Sequence, residues 1–265
     1  MTRPEQPTPD YVPGHGLLSG RTVVVTAAAG AGIGAAAVRK CLEEGAKAVV
    51  LGDTHERRLA EAVQSLSEEF GSERVTSVVC DVTSEEDVKA LLDAAEPFGG
   101  VDVMINNAGL GGTASVLEMT DEQWSKVLDV TLGGTFRCVR AASKRMVDTG
   151  KRGVIINNAS VVGWRAQEGQ AHYAAAKAGV MALTRCSALD VAEHGIRINA
   201  VSPSLAMHPF LAKVTSDELL ADLKGQEAFG RAAEPWEIAN VMVFLASDYS
   251  SYMTGEVVSV SSQHA

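Results

Sequence analysis

The stretch Val23-Val-Val-Thr-Ala-Ala-Ala-Gly-Ala-Gly-Ile-Gly34 joins a β-branched run to a glycine-rich turn, and an alanine-rich helical segment follows it. Glycines let a backbone approach a pyrophosphate closely, and a helix N-terminus offers free N–H groups and a positive dipole. Small residues also serve tight packing, so the turn alone is weak evidence. Its place between strand and helix predicts a dinucleotide-binding turn built on Gly30, Gly32, Ile33 and Gly34.

An acidic residue stands at the distance that such a turn requires. Asp53 lies 19 residues beyond Gly34, directly after the second apolar run. Its carboxylate can accept hydrogen bonds from adenosine ribose hydroxyls and would repel a 2′-phosphate, which favours NAD over NADP. Asp53 could instead be a helix-capping or turn aspartate with no role at a cofactor. The nearby Arg57 and Arg58 could also bind a 2′-phosphate, which would allow NADP. After the third run, Asp81 and Val82 are expected beside the adenine.

Short, continuous β-branched runs alternate with helical segments along the whole chain. Continuous runs are typical of strands that are covered on both faces. Strand alternating with helix predicts an α/β fold, a Rossmann-type doubly wound sheet of about seven parallel strands flanked by helices. Two capping boxes, at Thr83 and Thr120, predict helix starts. The predicted strands cover residues 23–25, 48–51, 75–79, 103–105, 154–156, 196–201 and 257–260.

The N-terminal segment differs from the rest. Residues 1–16 contain four of the eight prolines and little apolar surface, which predicts a flexible, proline-rich tail that packs on nothing. Residues 17–265 are then one domain, since no second linker or repeat follows. Without a signal pattern or a long apolar run, we expect no membrane partner and a cytoplasmic location.

Charge and cysteine content exclude further classes. Acidic residues outnumber basic ones, 33 to 23, for a net charge of −10, which opposes nucleic-acid binding. The four cysteines are scattered without metal-ligand spacing, so we expect no metal and no disulfide framework.

A tyrosine and a lysine stand four residues apart in an alanine-rich helical segment. Tyr173 and Lys177 therefore share one helix face. A nearby ammonium favours the phenolate, so we expect Lys177 to lower the pKa of Tyr173 toward neutrality. Ser160 precedes Tyr173 by 13 residues and follows a predicted strand. Its hydroxyl is suited to binding a substrate oxygen.

These features together resemble the short-chain dehydrogenase/reductase family across residues 17–260, with similarity to 3-oxoacyl-thioester reductases and to actinobacterial steroid and acyl-CoA catabolic dehydrogenases. The matching positions are Gly30, Gly32 and Gly34, Asp81, Asn106-Asn-Ala-Gly109, Ser160, Tyr173, Lys177 and Arg197-Ile-Asn-Ala-Val-Ser-Pro203. The resemblance implies a nicotinamide-dependent oxidoreductase that interconverts a secondary alcohol and a ketone.

The resemblance also implies roles. Tyr173 would be the general acid/base, Ser160 the donor to the substrate oxygen, and Lys177 the ligand of the nicotinamide ribose. Asn107, Ala108 and Gly109 would line the cofactor cleft, and Pro203 would begin a loop beside the nicotinamide. It further implies a homotetramer or homodimer built on the helices that carry Thr131 and Tyr173.

Three departures from the family pattern stand out. One extra residue precedes Gly32, which predicts a longer pyrophosphate turn. Thr131 stands where an asparagine that supports a proton relay is usual, so Thr131 is the candidate to replace it. The segment Ser261-Ser-Gln263 replaces a common Asp-Gly-Gly. These changes keep an alternative open, a catalytically impaired nicotinamide-binding scaffold or regulator.

Substrate-side residues are less constrained. Trp164 and Arg165 follow Ser160, in a segment that borders the substrate cleft in this family. Trp164 would either stack on a hydrophobic substrate or pack between subunits. Arg165 would either bind the anionic end of a substrate or be solvated. His208 is a second candidate for the anionic end. Residues 207–230 would form a lid or an ordinary pair of surface helices. The expected substrate is a small molecule on an acyl-CoA, acyl-carrier or alicyclic, steroid-derived skeleton.

Overall fold

A computed structural model describes residues 5–207 and 217–263, and it contains one parallel sheet of seven strands in the order β3-β2-β1-β4-β5-β6-β7. Every neighbouring pair of strands is parallel, which confirms the predicted doubly wound class. The strands are Thr22–Thr26 (β1), Ala48–Asp53 (β2), Val75–Val79 (β3), Val103–Asn106 (β4), Val154–Asn158 (β5), Arg197–Pro203 (β6) and Val257–Val260 (β7).

The helices cover both faces of the sheet. They are Ile33–Glu43 (α1), Glu56–Phe70 (α2), Glu85–Asp93 (α3), Asp121–Leu128 (α4), Gly134–Asp148 (α5), Ala171–Asp190 (α6), Asp217–Gln226 (α7) and Pro235–Ala246 (α8). Along β1, Val23 and Val25 pack with α1, α2 and α8, whereas Val24 packs on the opposite face with α3, α5 and α6. Because both faces are covered, a strand here needs no polar side, and the sequence runs are continuous.

The order in which strands are added to the sheet reverses between β1 and β4, although all the strands stay parallel. Val24 pairs with Val50 of β2 on one side and with Met104 of β4 on the other. Strands before and after this point are added outward in opposite directions, so the loops that follow β1 and β4 diverge and leave a crevice at the carboxyl edge. This crevice holds the candidate site.

The helix starts follow the sequence with one correction. Thr120 caps α4 through the predicted capping box with Gln123. The other predicted cap, Thr83, is wrong by one residue: Ser84 caps α3 by accepting from the Asp87 amide. The hydroxyl of Thr83 instead donates to the carboxylate of Asp81, so Thr83 belongs to the turn before the helix.

The N-terminal segment packs, contrary to the sequence prediction. Residues 5–16 form no helix or strand, but the ring of Tyr11 meets Trp236 edge-on at 5.2 Å and its hydroxyl donates to Glu43 at 2.5 Å. The buried carboxylate of Glu44 accepts from the amides of His15 and Leu17. The contact of the Tyr11 ring and the hydrogen bonds from two backbone amides therefore hold this segment against the domain, although its overall composition suggested no packing.

Two further features bear on the excluded classes. Within the described parts of the chain, no helix is long and apolar enough to cross a membrane. The four cysteines are free thiols, with Cys41, Cys80 and Cys138 buried and Cys186 exposed.

Candidate active site

The glycine turn is fixed by contacts from both strands of the switch point. The hydroxyl of Thr26, the last residue of β1, accepts from the amides of Asn107 and Ala108 at 3.0 Å. The side-chain amide of Asn107 donates to the carbonyl of Ala27 at 3.1 Å. A Cβ on Gly34 would lie 2.1 Å from that carbonyl oxygen, so only glycine lets α1 approach the turn this closely.

The outer side of the same turn is open. Gly30 has φ of +117°, a conformation that favours glycine, and a Cβ placed on Gly30 or Gly32 would meet no atom within 4 Å. Gly32 caps α1 without a side-chain hydrogen bond, so the first N–H groups of the helix have no capping side chain. Free helix amides beside open backbone form an anion-binding cradle, which fits a dinucleotide pyrophosphate. Ile33 is the first residue of α1 and packs against the core.

Ala27 marks the departure of this turn from the family pattern. Its φ of +49° is the one positive value at a non-glycine residue in the described chain. A left-handed alanine is strained, and the family places glycine directly after the threonine of this turn. The turn therefore keeps a left-handed backbone conformation at position 27 with alanine in place of glycine, which adopts it most readily.

The two acidic residues predicted at the cofactor differ in their freedom. Asp53 is mostly buried at the end of β2, and its two oxygens accept from the amides of Ala29 and His55 at 3.0 Å each. Its negative charge is thus fixed against the glycine turn. The carboxylate of Asp81 is engaged within its own turn, where it accepts from Thr83. Val82 is buried against α5.

Ser160, Tyr173 and Lys177 come together at the carboxyl ends of β5 and β6. Ser160 begins the short turn after β5, where its hydroxyl accepts from the amide of Val162 and lies close enough to Tyr173 to lower the pKa of that phenol. The ammonium of Lys177 lies 5.5 Å from the centre of the Tyr173 ring and donates to the carbonyl oxygen of Asn158 at 2.5 Å. Pro203 ends β6 nearby, paired with Val260.

The electrostatics of this trio differ from the sequence prediction. Burial raises the pKa of Tyr173 to about 12, and the nearby hydroxyl of Ser160 opposes that shift only in part. Burial also lowers the pKa of Lys177 to about 8. For Tyr173 this direction is opposite to the predicted lowering of its pKa by Lys177, because the loss of water around the phenolate outweighs the other influences.

Thr131 lies in a π-helical turn, Asp129–Gly133, that links α4 to α5. Its buried hydroxyl accepts from the amide of Leu110 at 2.9 Å and donates to the carbonyl of the same residue at 3.1 Å. A Cβ on Gly109 would lie 3.4 Å from the ammonium of Lys177 and 3.7 Å from the Thr131 hydroxyl. The loop after β4 thus passes between Thr131 and Lys177.

Sequence reasoning missed most of the contribution of Asn158. Besides holding Lys177 through its carbonyl, Asn158 donates from its side chain to Asn107 at 2.9 Å. Its side-chain oxygen is buried without a hydrogen-bond partner in the described chain. Two consecutive asparagines at the end of an apolar strand, Asn157 and Asn158, were the available signal, since buried amides need defined partners.

The substrate-side candidates flank this trio. Trp164 is 48% exposed, and Arg165 is half-buried and donates to the side-chain oxygen of Gln263 at 2.7 Å. His208 and most of the first half of the predicted lid lie outside the described residues, whereas α7 forms within its second half.

Comparison with known proteins places this geometry in a family. A family model described as enoyl-(acyl carrier protein) reductase matches residues 27–262. A crystal structure of a short chain dehydrogenase from Mycobacterium smegmatis superposes with a TM-score of 0.86 at 56% identity, over 98% of this chain and 99% of that one. The chain belongs to the short-chain dehydrogenase/reductase family. It is therefore an oxidoreductase, and members of this family use a nicotinamide dinucleotide.

Two curated relatives of this dehydrogenase/reductase have defined names. One, from Mycobacterium tuberculosis, is 61% identical over 97% of both chains and is named (5R,7aS)-5-hydroxy-7a-methyl-1-oxo-2,3,5,6,7,7a-hexahydro-1H-indene-carboxyl-CoA reductase. The other, from Sinomonas cyclohexanicum, is 40% identical over 91% of this chain and 94% of its own, and is named cis-4-hydroxycyclohexanecarboxylate dehydrogenase.

The buried ammonium predicts a specific dependence of stability on pH. Because the folded state lowers the pKa of Lys177 to about 8, the unfolded chain binds more protons between pH 8 and 10.5, and wild-type stability gains from a rise in pH. Lys177→Met removes this contribution. The free energy of unfolding of Lys177→Met minus that of the wild type should therefore fall by about 2 kcal/mol from pH 7 to pH 10, measured by urea unfolding without cofactor.

The matched control is Lys126→Met, which removes an exposed lysine of α4. Its stability relative to the wild type should not change in this way with pH. If Lys177→Met also follows the wild type at a constant offset, the ammonium is not buried as the structure has it.

Proposed function

We propose that this dehydrogenase/reductase interconverts a secondary alcohol and a ketone on an alicyclic, steroid-derived or acyl-thioester skeleton, with Tyr173 as general acid/base and NAD(H) as cofactor. The observation that carries the proposal is the position of the Tyr173 ring 5.5 Å from the buried ammonium of Lys177, with Ser160 close to the phenol. The names of the two curated relatives support a cyclic substrate that bears a carboxyl group or its CoA thioester.

The proposed chemistry assigns the proton to this chain. A bound nicotinamide would supply hydride to the substrate carbon, or accept it from there. In the direction of reduction, Tyr173 donates its proton to the carbonyl oxygen while Ser160 donates a hydrogen bond to the same oxygen. A Tyr173 pKa of about 12 keeps that proton in place at neutral pH, and the charge of Lys177 stabilises the phenolate that remains. Alcohol oxidation runs these steps in reverse and is favoured by higher pH.

The cofactor preference is inferred from Asp53. Its carboxylate is held by two backbone amides at the mouth of the glycine turn, so it cannot easily swing away from a 2′-phosphate. Of the two arginines that could offset it, Arg57 is engaged with Glu61 at 2.9 Å. We assign the pyrophosphate to Gly30, Gly32 and the start of α1, and the ribose of the nicotinamide to Lys177.

Thr131 supports the site by positioning the loop after β4, which lies beside Lys177. Its one hydroxyl proton goes to the Leu110 carbonyl, so the structure supports a role in holding the loop after β4. The proton relay implied by the family resemblance stays a prediction for this residue.

We further propose a homotetramer or homodimer in the cytoplasm. Trp124 and Phe136 are large apolar side chains left exposed on α4 and α5, and they line a groove of about 540 Å³ with Leu128, Leu132 and Leu183. The same helices carry the family oligomer in the resemblance. No observation favours the alternative of an impaired scaffold, since the contacts among Ser160, Tyr173 and Lys177 are intact.

The Tyr173→Phe variant tests the assigned chemistry. It removes the transferable proton and little volume, so turnover of a ketone with NADH should fall by roughly two to four orders of magnitude while NADH binding persists. Tyr252→Phe, at a fully exposed tyrosine, is the matched control and should keep wild-type turnover. Near-normal turnover in Tyr173→Phe would mean that another group moves the proton.

The Asp53→Asn variant tests the cofactor preference. It keeps the size of the side chain and deletes its charge, so the ratio of NADH to NADPH affinity should fall by about tenfold, measured by fluorescence titration. Asp248→Asn removes a carboxylate that pairs with Arg21, away from the glycine turn, and should leave the ratio as it is. Tighter binding of NADPH than NADH by the wild type would contradict the proposal directly.

A further inference from the structure

The segment that follows β7 is bound to the end of α7. Ser262 accepts from the amide of Ala228 at 2.7 Å, and its hydroxyl donates to the carboxylate of Glu227 at 2.7 Å. Glu227 is 1% exposed, and its other oxygen accepts from the amide of Leu205. The Ser261-Ser-Gln263 segment, which departs from the family pattern, is therefore a fixed part of the carboxyl edge of the sheet.

The next side chain along this segment reaches the catalytic turn. Gln263 accepts from the guanidinium of Arg165 at 2.7 Å. Arg165 follows the turn that begins at Ser160, and its amide donates to the carbonyl of Val161 at 3.0 Å. A Cβ on Gly163 would lie 3.1 Å from the backbone of Lys177, so this turn rests directly on α6. Arg165 is thus held close to the helix of the acid/base pair.

The charge of Arg165 has a neutral partner. No carboxylate in residues 5–207, 218 and 220–263 lies within ion-pair distance of Arg165, whereas seven other arginines form ion pairs with carboxylates. A carboxylate can accept two parallel hydrogen bonds from a guanidinium and pairs with its charge, whereas the amide of Gln263 offers one neutral oxygen. The amide oxygen of Gln263 therefore orients Arg165 without neutralising it.

We propose that Arg165 is the receptor for an anionic oxygen group of the substrate, and that Gln263 holds its place until that group binds. The proposal rests on the function proposed above and names the substrate class more closely, as a cyclic ketone or alcohol that carries a carboxylate or the phosphates of a CoA thioester. The exposed ring of Trp164, one residue earlier, provides apolar surface beside this charge.

Binding of a non-reacting anion tests the proposal independently of turnover. Cyclohexanecarboxylate is titrated calorimetrically into the NADH complex. Arg165→Gln should weaken its binding by about ten- to hundredfold, the usual range for a hydrogen bond to a charged group. Gln263→Glu should weaken it at least as much, because a built-in carboxylate then pairs with Arg165. Gln263→Met, a neutral side chain of similar length, should bind the anion as tightly as the wild type or more tightly.

Arg152→Gln is the control for net charge, since Arg152 is exposed and lies at the opposite end of β5 from Ser160. It should bind the anion like the wild type. An equal loss of binding in Arg152→Gln, or wild-type binding in Arg165→Gln, would overturn the proposal. Equal losses in Gln263→Glu and Gln263→Met would also overturn it, by showing that the contact is only structural.

Turnover of three probes then separates the sources of the anion and the two proposals. These are 4-oxocyclohexanecarboxylate, its CoA thioester and its neutral methyl ester. Arg165→Gln should lower kcat/KM for the charged probes relative to the ester by about tenfold or more, mainly through KM. A loss limited to the CoA thioester assigns the phosphates, and a loss with the free acid assigns the carboxylate. No turnover of any probe by the wild type would count against the proposed function alone, since anion binding is measured separately.

Discussion

The ammonium group of Lys177 lies inside the protein, and the layout of the site follows from how that charge is satisfied. It donates to the carbonyl of Asn158, whose side chain donates to Asn107, whose side chain in turn donates to Ala27. This series of hydrogen bonds joins α6, β5, the loop after β4 and the glycine turn. A buried ammonium costs several kcal/mol unless it is bound well, so each link depends on the others being in place. The glycine turn and Lys177 are therefore parts of one hydrogen-bond network.

Burial shifts the pKa values of Tyr173 and Lys177 in opposite directions. It raises the pKa of Tyr173 and lowers that of Lys177, because in each case it disfavours the charged form. The site thus holds a protonated tyrosine at neutral pH and a lysine whose charge is only modestly favoured. In the proposed reduction, this protonated phenol is the donor to the carbonyl oxygen of the substrate. The pKa lowering expected from a neighbouring ammonium would require that ammonium to be closer, or the phenolate to be better solvated.

Much of this architecture could be predicted from the sequence. Continuous β-branched runs located all seven strands to within about two residues, since strands covered on both faces have no polar side. The spacing of Tyr173 and Lys177 is local, and helix geometry alone puts them on one face. The joining of Asn158 to Asn107 could not be predicted, because it depends on the parallel pairing of β4 with β5, which are far apart in sequence. The packing of Tyr11 on Trp236 and the contact of Arg165 with Gln263 depend on tertiary contacts of the same kind. The π turn that carries Thr131 has no sequence signature beyond the unusual threonine itself.

The most direct test of this account is a titration of Tyr173 in the protein without cofactor. Tyrosinate absorbance at 295 nm is recorded for the wild type and for Tyr173→Phe from pH 6 to pH 10, and the variant curve is subtracted. We expect a difference close to zero across this range, since burial raises the pKa of Tyr173 to about 12. A tyrosinate that forms near pH 7 in the wild type and is missing from the variant would contradict it.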